Sequence, residues 1–153
     1  MLKPEHWDWT PNPAAPTPRQ VAVHAWQWLQ CDRQHINNAS LASHVDVAEP
    51  PETTAEFCDA FEAEILAWQE LLQNLKPERL DERRGQFSDD GSLNVRWFIL
   101  HMIQNVIYKH GQFSEVFFAL GYDGDAPYTT YYPNPMYAEV RAKSDADAGP
   151  RLQ

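Results

Sequence analysis

The sequence predicts an all-α protein, a bundle of three long helices with an N-terminal segment and a C-terminal strap. Apolar residues recur at spacings of three and four over three long stretches, whereas the alternation typical of a half-buried β-strand is weak everywhere. Clusters of proline and charged residues separate these stretches, and 153 residues is the length of one domain. We expect a single helical domain over residues 1–145 and a flexible tail over residues 146–153.

Composition and charge exclude several classes of protein. Hydrophobic residues make up 43% of the chain and charged residues 22%, which is typical of a globular protein. The formal net charge of -10 repels phosphate backbones, so we expect no nucleic-acid partner. No stretch approaches the ~20 apolar residues of a membrane span, and the N-terminus lacks the apolar core of a signal peptide. Cys31 and Cys58 form no CxxC motif, which favours reduced, buried thiols in a cytoplasmic protein.

The first predicted helix begins at Thr17, with Pro18 at its first position. The segment before it contains four prolines and cannot be the interior of a helix, but it carries Trp7 and Trp9, which we expect to pack on the bundle. The helix ends near Asn38, and its apolar residues recur at helical spacing: Val21, Ala25, Trp28, Leu29 and Ile36.

The second predicted helix has the clearest amphipathic pattern of the chain. It follows a polar loop and starts with Thr53-x-x-Glu56, which has the form of a capping box. The apolar residues after this motif are spaced by fours and threes: Phe57, Phe61, Ile65, Trp68, Leu72 and Leu75.

The third predicted helix runs from about Ser92 to Leu120 and is ended by Gly121. Its apolar residues cover more than half of the helical circumference, so we expect a largely buried helix. These residues are Val95, Phe98, Ile99, Met102, Ile103, Val106, Ile107, Phe113, Val116, Phe117 and Leu120.

A polar stripe runs along this third helix. At ~100° per residue, His101, Asn105 and Lys109 follow one slowly turning line. His110 falls roughly opposite His101, so these two histidines cannot chelate one ion together. The stripe either faces water or lines a polar cavity inside the bundle, and the pattern leaves both alternatives open. Two further residues lie on or beside the line: Tyr108 and Gln112.

Two segments of the chain carry a family resemblance. The segment "HWDWTPNPAAPTPRQVAVHAWQWLQCDRQHI" has a Trp-x-Pro-x-Pro entry followed by a helix with a histidine, His24. The segment "VRWFILHMIQNVIYKHGQFSEVFFALGYD" has an Arg/Trp start, a Leu-His pair, a Gly-Gln pair and a terminal Leu-Gly. Together they resemble the DinB-like superfamily, which includes mycothiol- and bacillithiol-dependent transferases and isomerases. The resemblance spans about residues 6–123 and implies a helical bundle of the up-down-down-up type.

The resemblance also implies a divalent-metal site formed by three side chains. At two of these three positions, the residue in this chain differs from the family's metal ligand. The family has a metal-ligand histidine at the position of His24 and two ligands, His or Glu and then His, at the positions of Asn105 and Lys109. Asparagine is a poor ligand for zinc, and a protonated lysine is none. We therefore expect no bound cofactor and a polar pocket for a small molecule or a partner. The residues expected to line it are His24, Trp28, His101, Asn105, Tyr108, Lys109 and Gln112.

A rebuilt metal site is the alternative. His24 and His101 could bind zinc or nickel at a position one helical turn away from the metal site of the family. The third ligand would come from Asp32 or Glu115. The metal would lower the pKa of a small-molecule thiol, and the protein would be an S-transferase of the mycothiol or bacillithiol type. Covalent catalysis by Cys31 is disfavoured, because Cys31 lies two turns from His24 on the same helix. The pattern alone leaves open whether the protein is an enzyme.

The resemblance further predicts an uncovered apolar surface. Family members begin with a long helix before the Trp-x-Pro-x-Pro segment, whereas this chain starts at that segment. Three helices with wide apolar faces then lack a fourth helix to cover them, which would leave a large apolar patch in water. We expect a homodimer, or a strap formed by residues 127–140, to cover this patch.

Overall fold

Three long α-helices dominate the computed structural model, which describes residues 2–39, 47–84 and 93–122. Helix α1 spans Pro18–Asn37, α2 spans Thr54–Asn74 and α3 spans Val95–Ala119, with short 3-10 turns at Pro4–His6 and Pro77–Arg79. The described residues contain no strand beyond an isolated bridge between Arg83 and Asn94. The predicted all-α fold is therefore confirmed. No helix within these ranges combines the length and the apolar character needed to cross a membrane.

The chain forms two compact units, Met1–Phe113 and Ser114–Gln153. The first unit contains α1, α2 and most of α3. The proposed strap over residues 127–140 and the tail over residues 146–153 lie outside the described residues.

Helix α1 begins as the sequence predicts. Thr17 accepts a hydrogen bond from the backbone N–H of Gln20, whose side chain in turn accepts one from the N–H of Thr17, and Pro18 occupies the first turn. At the other end, the carbonyl of Ile36 accepts hydrogen bonds from Arg84 at 3.0 Å and from Arg79 at 3.4 Å. Two guanidinium groups thus satisfy a carbonyl that the helix leaves unpaired, at the negative end of its dipole.

The proline-rich N-terminal segment lies against the start of α1. Trp7 packs on a cluster formed by Ala22, Trp26 and Phe57, which confirms the expectation for this ring. The carbonyl of Trp7 accepts a hydrogen bond of 2.9 Å from the N–H of Arg19, whose guanidinium also pairs with Asp8.

Helices α1 and α2 run parallel and are joined by hydrogen bonds along their length. Near the start of both helices, the indole N–H of Trp26 donates to the carbonyl of Ala60. Further along, Arg33 forms two hydrogen bonds of 2.6 and 2.7 Å with the Glu64 carboxylate. Residues of all three helices then form the main core: Leu29, Ile36, Trp68, Val95 and Phe98.

Helix α3 runs antiparallel to α1. Its early residues Val95 and Phe98 pack with Ile36 at the end of α1, whereas Phe113 packs near Ala22 at the beginning of α1. Two parallel helices and one antiparallel helix have the directions of the last three helices in an up-down-down-up bundle. The three predicted long helices are all present, and among the described residues only the 3-10 turn Pro4–His6 precedes α1.

The ends of α2 and α3 differ from the prediction in detail. Thr53 accepts a hydrogen bond from the N–H of Glu56, but its hydroxyl also donates to the Glu56 carboxylate, so only half of the predicted capping box forms. Helix α3 begins later than Ser92, because the side chain of Asn94 caps the N–H of Trp97. It ends at Ala119, one residue before the predicted end, and Gly121 follows with the positive φ of 73° expected of a helix-terminating glycine.

Burial of α3 differs from the expectation. Ile107, Leu100 and Ile103 are 66%, 57% and 44% exposed, so the helix is not largely buried. The apolar residues surround too much of its circumference for two neighbouring helices to cover. Cys31 is buried as expected, but Cys58 is exposed on α2.

Candidate functional site

Helices α1 and α3 face each other along a row of polar and aromatic side chains, which we call the polar seam: His24, Trp28 and Asp32 on α1, and His101, Asn105 and Lys109 on α3. Residues four apart lie on one face of a helix. Because the two helices are antiparallel, Asp32 lies beside His101 and His24 lies near Lys109. The seam therefore has two ends with different chemistry, separated by Trp28 and Asn105.

The first end of the seam is a buried carboxylate paired with an imidazole. Nδ1 of His101 lies 2.8 and 3.1 Å from the two carboxylate oxygens of Asp32. The side chain of Asp32 is 1% exposed and that of His101 is 26% exposed. Burial raises the pKa of Asp32 from 3.8 to about 6, and the hydrogen bond with His101 opposes this rise. Asp32 thus sets the orientation of the imidazole.

Two tryptophans hold the ring of His101 in place. Trp97, one turn earlier on α3, stacks on the imidazole with a centroid distance of 5.0 Å and an interplanar angle of 8°. Trp28 meets the same ring edge-on, also at 5.0 Å. With Nδ1 bound to Asp32, Nε2 of His101 makes no hydrogen bond to any residue that the structure describes.

The second end of the seam contains a neutral histidine. Nε2 of His24 accepts a hydrogen bond of 2.8 Å from the indole N–H of Trp28. Partial desolvation and then the positive charge of Lys109 lower the pKa of His24. Since Nε2 accepts, the neutral ring carries its hydrogen on Nδ1.

In the described part of the first unit, Lys109 is the only charged residue that α3 contributes to the second end of the seam. Its ammonium donates to Oε1 of Gln112 at 3.1 Å and lies 5.1 Å from the centre of the Tyr108 ring. Burial lowers the pKa of Lys109. Within residues 2–39, 47–84 and 93–122, no carboxylate lies within ion-pair distance of this ammonium. Lys109 is therefore a half-buried cation whose described partners are neutral groups.

Two sets of direct contacts connect the predicted site residues. Trp28 contacts both His101 and His24, and Lys109 contacts Tyr108 and Gln112. Asn105 is half-buried and lies between His101 and Lys109 along α3, and Tyr108 is exposed at 63%.

These side chains do not fit a divalent-metal site as they are arranged. The described residues contain no group of three His, Cys, Asp or Glu side chains that could hold a metal ion. Trp28 lies between the two histidines, with ring centroids 6.1 Å from His24 and 5.0 Å from His101, whereas zinc needs both imidazole nitrogens at about 2.0–2.1 Å. The lone pair of His24 Nε2 is engaged by the indole, and the Lys109 ammonium stands close by.

Two partners of His101 were not predicted from the sequence. Asp32 orients the imidazole ring, and Trp97 stacks on it. Steps of four residues from His24 along α1 and back from His101 along α3 would have found both.

A helical bundle in which an antiparallel helix pair encloses a row of ionisable and aromatic side chains is a scaffold for a site between helices. The chain belongs to the DinB superfamily, whose family model matches residues 1–113. The predicted family is confirmed, and the matched region has the same limits as the first compact unit. Comparisons with curated proteins and with solved structures gave no significant match.

Proposed function

We propose that this protein binds a small organic anion at the polar seam without the help of a metal ion. The observation that carries this proposal is the Lys109 ammonium, which is half-buried and has no carboxylate partner among the described residues. Removing an ammonium from water without a counter-ion costs free energy, and the lowered pKa of Lys109 is a result of that cost. A bound anion would supply the missing charge.

The neighbours of Lys109 suit such a ligand. The neutral His24 ring carries a hydrogen on Nδ1 and can donate it without adding a second positive charge. Tyr108 provides aromatic surface beside the charged group, and the Trp28 ring contacts the ring of His24. A few polar groups among aromatic side chains are the usual composition of a small-molecule site.

Binding of short-chain carboxylates tests this proposal. Isothermal titration with a series of alkanoates should show binding, and the matching neutral amides should bind at least about tenfold more weakly. Lys109→Met should remove the preference for the acids, whereas Lys76→Met, on an exposed lysine after α2, should keep it. Equal affinity for acids and amides, or an unchanged preference in Lys109→Met, would contradict the proposal.

Metal analysis separates this proposal from the metal-dependent S-transferase that the family resemblance implies. Protein purified without a tag should contain zinc and nickel far below one ion per chain, and EDTA should leave its melting temperature unchanged. Stoichiometric metal that EDTA removes, with a lower melting temperature afterwards, would favour the S-transferase.

Restoring the family's ligand types offers a gain-of-function control. Asn105→His combined with Lys109→His would place two imidazoles four residues apart on the stripe opposite His24. We expect this double variant to bind about one zinc ion per chain. The matched variant with alanine at both positions should bind none, which would assign the effect to the new imidazoles rather than to the loss of the ammonium.

A further inference from the structure

We propose that Asp32 and His101 form a dyad in which Nε2 of His101 accepts a proton from the bound ligand, so that the seam is a proton-transfer site. This inference rests on the proposed function, because Lys109 is the group that would hold the anionic end of that ligand. The ligand class is then a small organic anion that carries a dissociable hydrogen at some distance from its charged group.

The geometry of the dyad defines which nitrogen is available. Both carboxylate oxygens of Asp32 lie within reach of Nδ1 of His101, and Asp32 has no other side-chain partner among the described residues. When Asp32 is ionised, Nδ1 carries the hydrogen and donates it to the carboxylate. The lone pair of the neutral imidazole then lies on Nε2.

The surroundings of His101 keep this nitrogen in a defined position. Trp97 stacks on one face of the ring and Trp28 meets it edge-on, so the imidazole cannot rotate without losing both contacts and its bond to Asp32. The side chain is still 26% exposed, which leaves access from outside. A positioned acceptor of this kind is the requirement for general-base catalysis.

The buried carboxylate also favours the product of proton transfer. The X–H bond of the ligand breaks, its electron pair stays on X, and the proton forms an N–H bond at Nε2. The imidazolium that results is paired with Asp32, a carboxylate that burial deprives of water. Return of the proton to a different atom of the ligand would complete an isomerisation by proton shift, which needs no other reactant.

The spacing along α3 sets the length of the ligand. His101 and Lys109 are eight residues apart, which is about 12 Å along the helix axis. The reach of the lysine side chain shortens this distance. The dissociable hydrogen should therefore lie roughly 8–12 Å from the anionic group.

Alkylation of His101 by ω-bromoalkanoic acids, from the acetate to the decanoate, tests both ends of the seam. In this reaction Nε2 forms a bond to the terminal carbon, the C–Br bond breaks and bromide leaves, and mass spectrometry locates the alkyl group. We expect the rate at His101 to peak at one of the longer acids and to exceed that of free N-acetylhistidine by about tenfold or more. Asp32→Asn should lower this rate by about tenfold, with the melting curve reporting whether the variant folds.

The variants distinguish failure of the dyad from failure of the proposed function. Lys109→Met should remove the dependence on chain length but leave the slower reaction of His101 with neutral ω-bromoalkyl amides. If acids and amides react equally fast and both depend on Asp32, the dyad stands and the anion site fails. If carboxylates bind through Lys109 but His101 reacts no faster than free N-acetylhistidine, the dyad is overturned.

Nitrogen NMR of the wild-type protein provides a test that needs no variant. The ¹⁵N shifts of the neutral His101 ring should show a hydrogen on Nδ1 and a lone pair on Nε2. A ring with its hydrogen on Nε2 would overturn the proposal.

Discussion

The indole N–H of Trp68 on α2 donates a hydrogen bond of 2.9 Å to the backbone carbonyl of Leu29 on α1. Both residues belong to the main core, where Trp68 is 3% exposed. We expect Trp68→Phe to lower the free energy of unfolding by about 1–3 kcal/mol, because it removes this hydrogen bond and part of the buried ring. Urea denaturation followed by circular dichroism measures the change. Leu66→Ala, on an exposed residue of the same helix, should change it by less than about 0.5 kcal/mol, and equal effects would contradict the assigned role of Trp68.

The ion pair between Arg33 and Glu64 is a second link between α1 and α2. Glu64 is 7% exposed, and its carboxylate raises the pKa of Arg33 by accepting hydrogen bonds from the guanidinium. Glu64→Gln should lower the free energy of unfolding by about 2 kcal/mol, because the charge of Arg33 then lacks its partner.

Two comparisons control this prediction. Asp81→Asn breaks the exposed pair with Arg96 and should cost no more than about 0.5 kcal/mol. Replacing both members of the buried pair, Arg33→Met with Glu64→Leu, should recover most of the loss. A loss of the same size at both pairs would show that burial does not determine the strength of the Arg33 contact.

Asp32 should make stability depend on pH in a direction opposite to that of an ordinary ion-paired aspartate. Because its pKa rises from 3.8 to about 6 on folding, the folded protein binds more protons than the unfolded chain between pH 4 and pH 6. Its contribution to stability is therefore largest below pH 4 and is lost as the pH rises through about 6. Asp32→Asn, which cannot titrate, should become more stable relative to wild type by up to ~3 kcal/mol over this rise. Thermal unfolding of both proteins at several pH values measures the difference, and a constant difference would contradict the raised pKa.

The glycine inside α3 and the glycine just after its end should respond to alanine in opposite directions. Gly121 has a φ of 73° and ends the helix with two hydrogen bonds, from its own N–H to Phe118 and from Tyr122 to Phe117. An L-residue is strained there, so Gly121→Ala should lower stability by about 1 kcal/mol. Gly111 lies inside the helix with no atom within 4 Å of an added Cβ. Gly111→Ala should raise stability by about 0.5–1 kcal/mol, and a change of the same sign at both sites would contradict these backbone conformations.

We propose that the exposed apolar residues of α3 mediate a homodimer, which is one of the two covers that the sequence predicts for the apolar patch. Leu100, Ile103 and Ile107 lie on one side of the helix and are between 44% and 66% exposed. Light scattering after size exclusion should give twice the chain mass, and Ile107→Glu should shift the protein to the monomer. Leu66→Glu, on an exposed residue of α2, should leave the dimer intact. A monomeric wild-type protein would remove this proposal.

Much of the fold was predictable because its signals are local. Thr17 and Pro18 mark the start of α1, and Gly121 marks the end of α3, since capping depends on neighbours within one turn. The start of α3 was placed three residues too early, because Ser92 and Asn94 are both acceptable caps and only the structure shows that Asn94 acts as one.

The candidate site was predictable in part. Helical periodicity places His101, Asn105 and Lys109 on one line, and the family resemblance drew attention to His24. Periodicity within α3 does not reveal which residue of α1 faces each position. The bond between His101 and Asp32 depends on the antiparallel register of two helices that are far apart in the sequence.

The amino-acid sequence by itself determined the helical class and most of the helix ends, since these follow from residue identity and short-range periodicity. The loss of two metal-ligand types at Asn105 and Lys109 is what the family resemblance implies. Tertiary structure decided that Asp32 is buried against His101 and that Trp28 lies between the two histidines. It also decided that one side of α3 stays exposed. Burial, pKa and hydrogen-bond partners depend on which helix faces come together, and that choice is made by packing over the whole bundle rather than by any one segment.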